Sequence, residues 1–307
     1  MDLSVTIGGR ILQNPVWVAS GTFGYGSEYE ELIDLAGLGA LYTKAVTPEP
    51  RPGNDIPRII ETPGGLLNSI GLANAGCDAF VEKKLPYLET VPCSVIVNVA
   101  GNIGEDYRFV IDRLEEADRQ DAIWGYEINL SCPNVKVGGM ALGTSPTEVE
   151  RVTALLRGAT ERPLIVKLSP NVTDIGEIAR GAEAGGADAV SCINTLVGML
   201  IDTKELRTVL PGGTGGLSGP AILPVGLAMV HKVSRTVSIP VIGLGGIFEP
   251  DHAIQYLLAG AAAVQIGTAN FVDPTLTGRV LEEVLRFAEK HGLSRMDEFS
   301  GLIEGKR

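Results

Sequence analysis

The residues best suited to chemistry stand at the ends of short apolar segments. Lys44, Asn98, the run Asn129-Leu130-Ser131-Cys132-Pro133-Asn134, Lys167 ahead of Ser169-Pro170-Asn171, and Asn194-Thr195 each close an aliphatic stretch; Gly245-Gly246 and Gly267-Thr268 close two more. An amide buried without a partner costs on the order of 2–7 kcal/mol, so this many polar groups in apolar surroundings points to a shared task. The 3 histidines, His231, His252 and His291, fall in helical segments away from these ends, which disfavours a histidine triad or a histidine-ligated metal. Cys132, Lys44 and Lys167 remain for proton transfer. A thiol of pKa about 8.5 can act as a base once a nearby cation favours its thiolate. A nucleophilic cysteine is the alternative, with no histidine at hand to activate it. Cys77, Cys93 and Cys192 read as small buried hydrophobes, and no CxxC spacing occurs, so no zinc or iron–sulfur site is expected on this chain.

These residues need a scaffold that brings strand ends together. Eight apolar runs predict strands: Val16–Ala19, Ala40–Lys44, Ser94–Val99, Gly125–Leu130, Leu164–Leu168, Ala189–Ile193, Pro240–Gly243 and Ala263–Ile266. Continuous rather than alternating apolar runs fit parallel strands covered on both faces. Helices are expected between them. Ser27-Glu28-Tyr29-Glu30 and Ser145-Pro146-Thr147-Glu148 have the pattern of capping boxes, and Asp273-Pro274 opens a last amphipathic segment. Further helices are predicted over 77–88, 106–117, 174–184, 221–234 and 250–258. Eight strands alternating with eight helices in 307 residues predict one α/β domain, residues 1–307, folded as a (β/α)8 TIM barrel. A doubly wound sheet is the rival, but no GxGxxG follows the first strand and no P-loop occurs. Val5 and Ile7 before Gly8-Gly9, with Ile11 and Leu12 after, predict a short N-terminal hairpin at the bottom of the barrel. The connections after strands two (46–76), four and six (196–219) are too long for simple turns, and in a barrel all three lie on the C-terminal face, where active sites sit. Glycines at the ends of strands seven and eight suit a phosphate held by backbone N–H groups.

Composition excludes several classes. The net charge of −12 lacks the basic footprint of a nucleic-acid binder. No run of about 18 apolar residues suggests a membrane span, and Met1-Asp2-Leu3-Ser4 does not begin a secretory signal, so a cytoplasmic protein is expected. Glycine is abundant, 39 residues, without the period of collagen.

The motifs together resemble class 1 dihydroorotate dehydrogenase. The resemblance is carried by Asn129–Asn134, Lys44-Ala45, the run from Glu61 to Leu72, Ile193-Asn194-Thr195 and Gly245-Gly246-Ile247, and it extends from Ala19-Ser20-Gly21 to Gly267-Thr268-Ala269-Asn270. The continuation Asn134-Val135-Lys136-Val137-Gly138-Gly139 is similar to the NAD-linked class 1B catalytic subunit; fumarate-linked class 1A enzymes usually carry a proline-bearing stretch there. Other readings are class 1A itself, a dihydropyrimidine-type flavin oxidoreductase, a dihydrouridine synthase (against which the acidic charge weighs), and a non-catalytic flavin- or phosphate-binding barrel.

The resemblance implies FMN at the top of the barrel, its phosphate at Gly245, Gly246, Gly267 and Thr268, with Ser20, Lys44, Ala45, Asn98, Asn129, Lys167, Ile193 and Gly219 at the other flavin-contacting positions. Lys167 would stand by the pyrimidine end of the ring system, where a cation stabilises the reduced anion. Substrate contacts implied are Lys44, Asn68, Ser69, Ile70, Gly71, Leu72, Asn129, Asn134, Asn194 and Thr195. Cys132 would be the base that takes a proton from C5 of dihydroorotate, with Lys44 assisting. The resemblance further implies a homodimer and a partner subunit carrying FAD and a 2Fe–2S cluster, together a heterotetramer that passes electrons to NAD⁺; neither a nucleic acid nor a membrane is expected as a partner.

Overall fold

The computed structural model describes residues 1–130 and 139–304, apart from the side chains of 139–141 and 304. Eight parallel strands close a barrel in chain order: β1 (Val16–Val18), β2 (Ala40–Tyr42), β3 (Ser94–Val99), β4 (Ile123–Asn129), β5 (Leu164–Lys167), β6 (Ala189–Cys192), β7 (Val241–Leu244) and β8 (Ala263–Ile266). Every predicted strand is present. The reason is visible in their burial: stretches such as Leu164–Lys167 and Ala189–Cys192 are buried at every position, as strands covered by helices outside and by side chains inside must be.

The helices follow their start signals where the caps close. Ser145 Oγ accepts from the Glu148 N–H, opening the helix Pro146–Arg157, and Asp174 Oδ1 accepts from the N–H of Gly176 and Glu177, opening Ile175–Ala184. The helix expected after Ser27 is not formed. Glu28 turns back to accept from the Tyr25 N–H, Glu30 accepts from the Tyr87 hydroxyl, and Tyr29 stacks on Phe23 while donating to the Thr22 carbonyl. The carboxylates that would have capped a helix are thus engaged elsewhere, and the segment winds as turns up to the single 3-10 turn Leu35–Gly37. A helix over Glu298–Glu304, not anticipated, follows the last barrel helix, Leu276–His291.

The hairpin Val5–Ile7/Arg10–Leu12 sits beneath the barrel, where Arg10 donates to the Trp124 carbonyl and pairs with Asp121. The long connections after β2 and β6 do not remain separate loops. They join in one antiparallel sheet over the opposite mouth, in the order Leu196–Gly198, Gly215–Ser218, Gly65–Asn68, Ile59–Thr62. The connection after β4 contains residues 131–138, outside the described residues. Among the described residues no helix is long and apolar enough to cross a membrane.

Candidate active site

Beneath the lid sheet lies a cavity of about 270 Å³, at the C-terminal ends of the barrel strands. Ser20, Lys44, Ala45, Asn98, Asn129, Lys167, Ile193, Gly219, Gly245, Gly246, Gly267 and Thr268 all line it, as do Asn68, Ile70, Gly71, Leu72, Asn194 and Thr195. Ser69 does not: it is buried in the lid, where its Oγ accepts from Asn54 Nδ2 and its N–H donates to the Arg58 carbonyl. Cys132 and Asn134 lie outside the described residues.

Strand register explains the convergence. Asn98 on β3 pairs with Glu127 on β4, and Lys167 on β5 pairs with Asn129 on one side and Ser191 on the other. Glu127 and Asn129, two residues apart, face the same way, into the barrel. Glu127 is fully buried and absent from the set expected by resemblance. Its signal was a lone carboxylate in the apolar strand Ile123–Asn129. Oε2 accepts from Asn98 Nδ2 at 2.6 Å and Ser20 Oγ at 3.0 Å and lies 3.6 Å from Lys167 Nζ; Oε1 accepts from Ser191 Oγ at 2.8 Å and Gln265 Nε2 at 3.4 Å.

From this buried end a row of amides climbs toward the cavity. Asn98 Oδ1 faces Asn129 Nδ2 at 3.5 Å, Asn129 Oδ1 faces Asn194 Nδ2 at 3.5 Å, and Asn194 Oδ1 accepts from the Thr195 N–H at 2.8 Å. Lys44, half-buried, has its pKa lowered by burial and by the Arg58 guanidinium, with Glu28 opposing. The remaining described cysteines are poor acids: burial pushes Cys77 up to about 11, Cys93 to about 12 and Cys192 higher still. None of the three is a base or nucleophile near neutral pH.

The far side of the cavity is backbone. Gly246 adopts φ +73°, and a Cβ there would lie 2.6 Å from the backbone nitrogen of Leu223. The Tyr256 hydroxyl donates to the Gly245 carbonyl at 2.7 Å and fixes the turn from behind, while Thr268 Oγ1 donates to Ser218 Oγ at 2.8 Å and ties the lid to the end of β8. A group bearing a phosphate can approach main chain here that no side chain shields. The cavity therefore offers a cationic and amide-rich wall opposite a bare backbone turn, suited to a planar polar ligand with an anionic tail.

A family model described as dihydroorotate dehydrogenase matches residues 2–287. Among similar curated proteins, the "Dihydroorotate dehydrogenase B (NAD(+)), catalytic subunit" of Geobacter sulfurreducens is 52% identical over 303 residues, covering 99% of this chain and 98% of that protein. Those of Geotalea uraniireducens and Bacteroides thetaiotaomicron are each 50% identical, over 98% and 99% of this chain and 98% and 99% of their own lengths. Among solved structures, a crystal structure of DHODH in complex with ferulenol from Eimeria tenella has the same fold, with a TM-score of 0.77 at 24% identity, over 98% of this chain and 87% of that one.

Proposed function

The chain belongs to the dihydroorotate dehydrogenase family, and from that membership we propose that it is the catalytic subunit of an NAD-linked, class 1B enzyme. It oxidises (S)-dihydroorotate to orotate in de novo pyrimidine (UMP) biosynthesis, using FMN. The observation that carries the reading is the cavity: two lysines and a row of asparagines stand opposite a side-chain-free glycine turn, in a chain half identical to named NAD-linked catalytic subunits over nearly its whole length. The same relatives favour it over the class 1A and dihydropyrimidine-type alternatives.

The residues fit FMN. The turn at Gly245-Gly246, with Gly267 and Thr268 alongside, presents main chain to the cavity for a phosphate, and it is packed so closely on Leu223 that a Cβ on Gly246 would collide there. Ser20, Ala45, Asn98, Asn129, Ile193 and Gly219 would surround the ring system, and Lys167 would face its pyrimidine end. When bound, FMN supplies the acceptor for the hydride that leaves C6 of dihydroorotate. The chain does the rest. Cys132 removes the C5 proton. Lys44 pairs with the substrate carboxylate. Asn68, Asn129, Asn134 and Asn194, with Thr195, match its ring N–H and C=O groups, since each amide presents a donor and an acceptor in one plane. Ile70, Gly71 and Leu72 close the substrate side, and Ser69 supports that loop through Asn54. The lid sheet keeps water from the reacting atoms. Residues 1–307 act as one domain, in the cytoplasm, as a homodimer. A partner subunit with FAD and a 2Fe–2S cluster completes a heterotetramer and carries electrons to NAD⁺.

The test uses the purified chain. A yellow flavin band near about 450 nm should bleach when dihydroorotate is added without air. In the complex with its partner, NAD⁺ rather than fumarate should restore it. Cys132→Ala and Cys132→Ser should keep FMN and lose rapid bleaching near neutral pH. A flavin that dihydroorotate leaves oxidised in the parent chain refutes the reading; unchanged turnover in both cysteine variants removes Cys132 from its role.

A further inference from the structure

Glu127 has no part in that mechanism, yet it is a completely buried carboxylate in contact with four residues of the cavity wall, Ser20, Asn98, Lys167 and Gln265. A charge in that position is retained only when paired and hydrogen-bonded. All five of its contacts donate: the Asn98 and Gln265 amides, the Ser20 and Ser191 hydroxyls and the Lys167 ammonium. An ionised carboxylate, which only accepts, satisfies all five. Three converge on Oε2, and of these Ser20, Asn98 and Lys167 all line the cavity. Ser20 closes the triangle, since its hydroxyl donates to Glu127 and accepts from Lys167 Nζ at 3.3 Å and Asn98 Nδ2 at 3.2 Å. A filler of the barrel core would need no such aim; an aliphatic residue would serve.

We propose that Glu127 is a positioning residue that holds the Lys167 ammonium at the cavity floor and offsets its charge, and so sets the reduction potential of the flavin bound above it. The inference rests on the FMN reading. Lys167 alone would leave the floor at +1 and favour the reduced anion strongly; with Glu127 at 3.6 Å the pair is neutral as a unit, and the flavin is held at a lower potential, from which electrons leave more readily.

The experiment is Glu127→Gln in the FMN-loaded chain, with the flavin midpoint potential measured by dye-coupled reduction. The isosteric amide can turn its oxygen to Ser20, Asn98 and Lys167 and its NH2 to Ser191, while the Gln265 amide turns to accept. Removing the negative charge should raise the potential, shifting the reduced-to-oxidised ratio at least tenfold, about 30 mV for a two-electron couple. By linkage the dissociation constant of reduced FMN should fall by the same factor relative to that of oxidised FMN. A merely structural role would weaken both forms alike and leave the potential where it was, and that result overturns the proposal. If E127Q does not fold, Glu127→Asp, which keeps the charge but draws it back from Lys167 by one methylene, is measured in its place: with FMN bound, a raised potential supports the proposal and an unchanged one overturns it. Collapse of both variants shows that the barrel, not the flavin, requires Glu127, and overturns it. A parent chain that binds no FMN is a failure of the functional reading itself, distinguishable because it appears before any variant is made.

Discussion

The sharpest structural test of the cavity is Gly246→Ala. Two penalties add. An L-residue at φ +73° sits in the left-handed region, at about 1–2 kcal/mol. The new Cβ would also lie 2.6 Å from the backbone nitrogen of Leu223 and 2.8 Å from its Cα, and a helix start is not a flexible side-chain tip that can swing away. Relieving such overpacking costs roughly 1–3 kcal/mol. The turn cannot back off freely either, because Tyr256 holds the Gly245 carbonyl. The sum is about 2–5 kcal/mol. With an unfolding entropy of about 2.1 cal/mol/K per residue, 307 residues give about 0.6 kcal/mol per degree, so the melting temperature should drop by about 3–8 °C. What strain remains is relieved by moving the turn into the cavity, so FMN affinity, read by fluorescence quenching, should fall at least about tenfold. Gly278→Ala is the internal control. Gly278 is exposed within the helix Leu276–His291, a Cβ there meets nothing within 4 Å, and alanine should raise stability by about 0.5–1 kcal/mol. If Gly246→Ala melts within a degree of the parent and binds FMN as tightly, the turn is not the rigid cradle described.

Three further outcomes follow from the same geometry. A Cβ on Gly216 would lie 2.1 Å from Thr195 Oγ1, so Gly216→Ala should push Thr195 out of place and raise KM for dihydroorotate about tenfold, with flavin content unchanged by visible spectrum. Burial and Arg58 lower the Lys44 pKa beneath the ordinary 10.5, so orotate binding should weaken as pH rises through a value below 10.5; Lys44→Met should abolish that break in a titration. The sign for stability is opposite: a depressed lysine pKa disfavours folding while the group is charged, and the penalty is relieved as pH rises through the folded value. Arg162 bridges Glu115, Asp118 and Asp121 at the N-terminal ends of the strands, with the Asp118 side chain fully buried. Arg162→Ala should therefore lower unfolding free energy by about 3–5 kcal/mol in denaturant titration while leaving kcat/KM as it was, because the chemistry sits at the other face.

What was legible in the chain depended on how local its cause was. Strands such as Leu164–Lys167 announce themselves because both faces are covered, and the caps at Ser145 and Asp174 work within three residues. The Ser27 segment carried the same letters and failed as a helix, because Tyr87, some sixty positions on, engages Glu30, and a capping pattern contains no information about such a rival. The lid was illegible for a related reason. Its central pairing, Asn68 with Gly216, joins connections that read separately as irregular, and only the barrel brings them side by side. At the site, most residues were carried by motif. Ser69 lay within the motif and still points away from the cavity, since neighbours in a run share a sequence but not a face. Glu127 lies in the strand leading to the motif but belongs to no motif, although a carboxylate among aliphatic residues is the same kind of anomaly as Lys167.

The amide row shows what this carboxylate does for the cavity wall. An asparagine can present its oxygen or its NH2 to a neighbour, and a ligand edge built from several asparagines has no defined pattern until each is turned one way. Here the sense is imposed at the buried end. Glu127 accepts only, so Asn98 must give it Nδ2; Asn98 Oδ1 then faces Asn129 Nδ2, Asn129 Oδ1 faces Asn194 Nδ2, and Asn194 Oδ1 is left to the Thr195 N–H. The two middle contacts, at 3.5 Å, are long and individually weak, so the orientation is secured by the short bonds at the two ends, 2.6 Å at Glu127 and 2.8 Å at Thr195. A carboxylate that touches neither mouth nor lid thereby sets which edge of each amide faces the cavity, and the polarity of that wall is specified from inside the barrel outward.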